Sequence, residues 1–101
     1  MLSNLIVPHF CMALSLNNKI ITCGLAVLEH VFMGLFDIVV CEKYRHNGYG
    51  EHLIRNMLEI GQKQGADNAY LQVMLDNKPA LNLYKKLGFI NMYHYWYRVL
   101  L

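Results

Sequence analysis

The stretch Ile38-Val39-Val40-Cys41-Glu42-Lys43-Tyr44-Arg45-His46-Asn47-Gly48-Tyr49-Gly50-Glu51 joins three kinds of chain. An apolar run reads as a buried strand, a polar loop carries two alternate glycines, and an amphipathic pattern begins at once. The stretch therefore predicts a strand, a turn and a helix start. Glycines at the head of a helix remove Cβ atoms that would hold a ligand off the backbone. The first helical N–H groups, which lack intrahelical partners, are then free to meet an anion, and a phosphate or pyrophosphate fits that need.

A Gly-x-Gly before a helix is also found in plain tight turns, so the downstream cluster Asn77-Lys78-Pro79-Ala80-Leu81-Asn82-Leu83-Tyr84-Lys85-Lys86-Leu87-Gly88-Phe89 carries the discrimination. Arg45-x-x-Gly48-x-Gly50 followed by Asn77-x-x-Ala80-x-x-x-Tyr84-x-x-x-Gly88-Phe89 resembles the GNAT superfamily of acetyl-CoA-dependent N-acetyltransferases. The resemblance covers Asn17 to Phe89.

Composition agrees with a folded chain. Of 101 residues 55% are hydrophobic and 16% charged, which suits one α/β domain over 1–101 and excludes disorder. The longest apolar runs, Val31 to Phe36 and Ile38 to Cys41, are too short for a membrane span. Met1 to Phe10 lacks a signal peptide's basic start and long apolar middle, so a cytoplasmic address is expected. The net charge of +2 is small and the basic residues are scattered, which argues against nucleic acid. Lys78, Lys85 and Lys86 form a local cluster that reads as a solvated helix face ahead of a contact with the phosphates of a nucleotide cofactor. Cys11, Cys23 and Cys41 are odd in number and set in apolar surroundings, so buried thiols are expected rather than disulfides or a metal site.

Along the chain, Phe10 to Leu16, the pair Asn17-Asn18 and Lys19 to Glu29 read as a hairpin. A turn over His30 to Gly34 leads into a third antiparallel strand, Leu35 to Cys41. A helix runs from Gly48 to Gln64, with Leu53, Ile54, Met57 and Leu58 on one face and Gly65 as its stop. Ala69 to Leu75 reads as a buried strand parallel to the third, by a right-handed crossover. Asp76 or Asn77 caps a second helix with Pro79 in its first turn and Gly88 at its end. Phe89 to Leu101 reads as one closing strand. The result is a mixed sheet with two helices.

The resemblance implies more than these patterns do. It implies that the strands ending at Cys41 and Leu75 splay apart and hold the pantetheine arm of acetyl-CoA, with Ile38, Val39 and Val40 pairing through their backbone as an added strand and their side chains in the core. It assigns the backbone N–H groups of His46, Asn47, Gly48, Gly50 and Glu51 to the pyrophosphate, in a loop that includes Tyr49. Arg45 leans on phosphate or pairs with a neighbour. Asn77 caps its helix and meets the cofactor arm. Tyr84, on one stripe with Ala80 and Leu87, points its hydroxyl at the cofactor sulfur as the acid; a phenol at about pKa 10 stays protonated near a thiol at about 8.5. No metal is implied.

The base stays open. The positions where the family carries a carboxylate are Gly34 and Gln72 here, and Asp37, Glu29 and His30 are nearby alternatives. Alternation puts Asp37 on the face opposite Phe36 and Ile38. The family's first strand and two helices, which build the acceptor wall, have only Met1 to His9 in their place. The reading is therefore an N-acetyltransferase acting on a small-molecule or peptide amine, with two rivals kept: a CoA-binding module or C-terminal lobe of a larger enzyme, and an interaction protein. An uncovered sheet edge also leads us to expect a homodimer.

Overall fold

The computed structural model describes residues 8–45, 47–74 and 76–101. Three strands come first: β1 (His9–Leu16), β2 (Lys19–Glu29) and β3 (Phe32–Val40). They form an antiparallel meander whose turns use left-handed Asn17, Asn18 and His30. Helix α1 (Tyr49–Lys63) leads to β4 (Asn68–Gln72), α2 (Lys78–Lys86) leads to β5 (Ile90–Tyr93), and β6 (Trp96–Leu100) closes one six-stranded sheet in the order β1-β2-β3-β4-β6-β5. Only β3 and β4 are parallel, as a crossover through α1 requires.

The core lies between α1 and one face of the sheet. Leu53, Ile54 and Met57 meet Ala26, Met33, Leu35, Ala69 and Leu71 there, all of them buried. Two glycines set how closely the layers approach. A Cβ on Gly61 would collide with Met33 Sδ, and one on Gly24 with Ile38 Cδ1. α1 starts at left-handed Gly48 (φ 82) and is followed by left-handed Gly65 (φ 104), conformations that cost an L side chain strain. The buried positions of α1 match the periodicity, with Gly61 added because it accommodates Met33.

Five expectations need correction. The closing segment is a hairpin, β5 and β6, because His94 takes φ 50 and Asn91 Nδ2 donates to His94 O at 2.8 Å. β3 begins at Phe32, so the preceding turn is shorter than His30 to Gly34. β4 ends at Gln72, and Leu75 lies outside the described residues.

Asp37 does not sit in simple alternation. Leu25 pairs with Phe36 but Cys23 with Val39, so Asp37 and Ile38 together oppose Gly24, with Asp37 at φ 55. This β-bulge moves Ile38 to the α1 face while Phe36 stays on the other, against Tyr70. The cysteines are free and exposed rather than buried. Cys11 and Cys23 alternate with helix-facing Met12 and Thr22, and so point to the face that no described helix covers.

Among the described residues, no helix is long and apolar enough to cross a membrane.

Candidate active site

β3 and β4 pair only through Phe32–Asn68, Met33–Ala69 and Gly34–Tyr70. Beyond that point they diverge, and a cleft of about 550 Å³ opens between the end of β3, the start of α1 and α2. It is lined by Ile38, Val39, Val40, Arg45, Gly48, Tyr49, Gly50, Glu51, Asn77 and Tyr84, so residues far apart in sequence share one wall. Asn47 is exposed and does not line it, and His46 lies outside the described residues. Tyr44 and Leu83 also line the cleft and were missed in the sequence. The Leu83 signal was present, three residues beyond Ala80 on the same helix.

The edge of β3 is specific about which backbone it offers. Cys41 N–H bonds to Ile21 O at 2.7 Å, and Val39 O accepts from Thr22 Oγ1 at 2.7 Å, so the backbone of 39 and 41 points at β2. Ile38 and Val40 point theirs the other way, toward the cleft, where β4 has peeled off. Val39 offers no such edge, and its side chain is 54% exposed on the helix-free face rather than in the core. Arg45 Nε donates to Val40 O at 3.3 Å, in place of a salt bridge, leaving its terminal nitrogens without an acceptor among the described residues.

The loop is held by its own side chains. Asn47 Nδ2 donates to the carbonyls of Tyr44 and Arg45, each at 3.3 Å, and Tyr44 meets Tyr49 edge-on at 6.2 Å. The α1 N-terminus follows, with no side chain capping it. A Cβ on Gly50 would lie 3.2 Å from Val40 Cγ2 and 3.8 Å from Leu83 Cδ2, so the missing side chain is what keeps the cleft open at the helix start. Glu51 puts a carboxylate beside a site suited to anions, but Lys86 Nζ and Arg55 Nε each hold it at 2.9 Å. Those hydrogen bonds, Lys86 first, push its pKa down. Lys86 is thus committed to Glu51 and ties the end of α2 to the start of α1, which its reading as a solvated face did not foresee.

On the far wall, Asn77 Oδ1 accepts from Ala80 N–H at 3.3 Å and caps α2, with Pro79 in its first turn. Tyr84 is buried against Phe89, ring centres 5.6 Å apart, and burial pushes its pKa up to about 12. Its hydroxyl makes no hydrogen bond among the described residues. Gly34 and Gln72 are the positions where the resemblance implies carboxylates. Gly34 has Phe36 and Tyr70 over it, and Gln72 is exposed on the helix-free face. No group of His, Cys, Asp and Glu suited to a metal occurs among the described residues.

The sequence profile of the acetyltransferase (GNAT) family matches residues 4–89. The chain belongs to the GNAT acetyltransferase family. It is 41% identical over 66 residues (65% of the chain) to the uncharacterized N-acetyltransferase YobR of Bacillus subtilis, and 45% identical over 53 residues (52%) to an N-alpha-acetyltransferase of Sulfurisphaera tokodaii. The chain spans 27% and 32% of the lengths of these two relatives. The fold superposes on the crystal structure of the ribosomal-protein-S18-alanine N-acetyltransferase of Escherichia coli with a TM-score of 0.85. That match is at 21% identity and covers 91% of this chain and 68% of the other. The GNAT fold is therefore present among the described residues.

Proposed function

We propose that the protein transfers an acetyl group from acetyl-CoA to a primary amine, with the α-amino group of a peptide as the favoured acceptor class. One observation carries the reading: the splay of β3 from β4 runs straight to a glycine-opened helix start. The cleft fits the donor on this chain's own atoms. The first-turn N–H groups of α1 face a diphosphate-sized space that Gly50 leaves clear, and the edge of Ile38 and Val40 can pair with amides, as in strand addition. Asn77 would meet the same arm from α2.

When bound, acetyl-CoA supplies a thioester whose C–S bond breaks as the amine's C–N bond forms. Tyr84 donates a hydrogen bond to the departing sulfur, Ile38 and Val40 fix the arm, and Glu51 stays neutralised by Lys86 and Arg55. The proton gained by sulfur balances the one shed by the amine. The α-amino preference is supported by the name of the Sulfurisphaera relative.

A second reading, a CoA-binding module that does not turn over, is favoured by the sheet face that no described helix covers, where Val39 and Phe32 are exposed among the described residues.

Melting in the presence of ligands tests the first step. At about a hundred times its Kd, acetyl-CoA should stabilise the fold by about 2.7 kcal/mol, roughly 10 °C or more for a domain of this size. Free CoA should do the same and a nicotinamide dinucleotide should not. No rise with acetyl-CoA defeats both readings, and a rise with no acetyl gain on any free-amine peptide favours the second.

A further inference from the structure

The helix-free face carries a side chain with no assigned task. Tyr70 is the last residue of β4 that pairs with β3, at the point where the two strands part, and it does not itself line the cleft. It alternates with buried Ala69 and Leu71, which puts its side chain on the helix-free face. A Cβ built on Gly34 would lie 2.9 Å from Tyr70 Oη and 2.6 Å from Phe36 Cε2. The phenol head and the Phe36 ring therefore occupy the space that a side chain at 34 would need.

The ring is also held in place. Phe36 meets it edge-on at 6.3 Å, and Trp96 lies 5.7 Å from it, tilted by 54°. Its ring contacts among the described residues are these two, and its hydroxyl has no hydrogen-bond partner there. That hydroxyl is not one of the buried polar atoms left without a partner among the described residues, so it is open to solvent and free to meet a ligand.

We infer that Tyr70 is the acceptor-positioning residue: its hydroxyl oxygen accepts a hydrogen bond from the amine at the apex of the cleft and aims the nitrogen lone pair at the acetyl carbonyl. This rests on the acetyltransferase reading above. It also answers the missing carboxylates at Gly34 and Gln72, because orientation at the apex is supplied from β4 by a neutral group.

The step balances without a protein base. The amine arrives neutral, its lone pair forms the C–N bond as the C–S bond breaks, and the proton it sheds passes to water, while the departing sulfur, hydrogen-bonded by Tyr84, takes a proton from water so that Tyr84 keeps its own. Tyr84 lines the cleft from α2 and Tyr70 sits on the helix-free face, so donor and acceptor groups are handled from opposite sides of the sheet. The acceptor that fits is an unhindered primary amine with an apolar neighbour able to lie on the Phe36 and Trp96 rings.

The test is Tyr70→Phe, which keeps the ring and its packing. With the tripeptide alanyl-alanyl-tyrosine amide as acceptor, kcat should fall about tenfold or more, one oriented hydrogen bond's worth. The acetyl-CoA-induced rise in Tm should stay as in the wild type. The wild-type rate should climb with pH until the peptide's α-amino group is neutral, at about 7.7–8.0, with no plateau in the carboxylate range. Unchanged kcat in Tyr70→Phe overturns the assignment, and so does loss of the acetyl-CoA shift in that variant, which would mark a structural role. If the wild type itself neither binds acetyl-CoA nor acetylates the peptide, the underlying reading fails and the assignment falls with it.

Discussion

Tyr84→Phe is expected to lower kcat about a hundredfold while leaving the acetyl-CoA-induced rise in Tm intact, the scale on which one preorganised donor to a developing anion acts. The variant keeps the ring on Phe89 and removes only a hydroxyl that bonds to nothing else among the described residues. Burial that pushes the pKa up to about 12 decides what kind of help the hydroxyl gives. A phenol less acidic than a thiol of about 8.5 does not release its proton in advance; it hydrogen-bonds the sulfur as charge grows there. The expected kinetic signature is a loss in kcat with little change in the amine KM. An unchanged kcat at saturating amine would remove Tyr84 from the reaction.

The same burial predicts a stability change that needs no ligand. Below the unfolded-state pKa of about 10, both states hold the proton and Tyr84 adds no pH dependence. As pH rises from there toward the folded value of about 12, the unfolded chain releases a proton that the folded one keeps, so stability falls. Between about pH 9 and about pH 11 this amounts to about 1.4 kcal/mol. Tyr84→Phe should lose about that much less than the wild type in urea unfolding over the same interval. Parallel losses in the two proteins would mean that the phenol is better solvated than its 8% exposure suggests.

The two helices were legible because their ends are chemical. Gly48 and Gly65 supply left-handed residues at either end of α1, Asn77 supplies an acceptor at the head of α2, and Gly88 (φ 97) stops it. The cleft residues were legible through the same punctuation, because the loop and the α2 cap lie at element ends. What stayed hidden depends on register or on which face is covered. The turn between β5 and β6 uses His94 within an aromatic run that has uniform strand propensity, with no Gly or Pro to mark it. The bulge at Asp37 leaves no trace in the apolar pattern, yet it sends Phe36 and Ile38 to opposite faces. The cysteines looked buried because their neighbours are apolar, but burial also needs a layer above the strand. Tyr70 could be placed on a strand from sequence, but its meeting with Gly34 is a cross-strand fact of the β3–β4 pairing.

Gly50→Val should abolish the acetyl-CoA-induced rise in Tm, weakening binding about a hundredfold or more, whereas Gly48→Ala should leave the rise in place and lower the stability of the free protein by about 1 kcal/mol. The two glycines are separated by one residue, Tyr49, and do different work. Gly48 sits at φ 82 with nothing within 4 Å of a built Cβ, so a methyl group there meets backbone strain and no obstacle. Gly50 is inside α1 with no such strain, but its Cβ would face Val40 Cγ2 at 3.2 Å and Leu83 Cδ2 at 3.8 Å across the mouth of the cleft. The branches of valine would fill the approach to the first N–H groups of the helix, which is the space the diphosphate reading requires. Melting each variant alone and with acetyl-CoA separates the two effects. If Gly50→Val still gains the full shift, the anion is not held at the start of α1, and the donor lies elsewhere along the β3 edge.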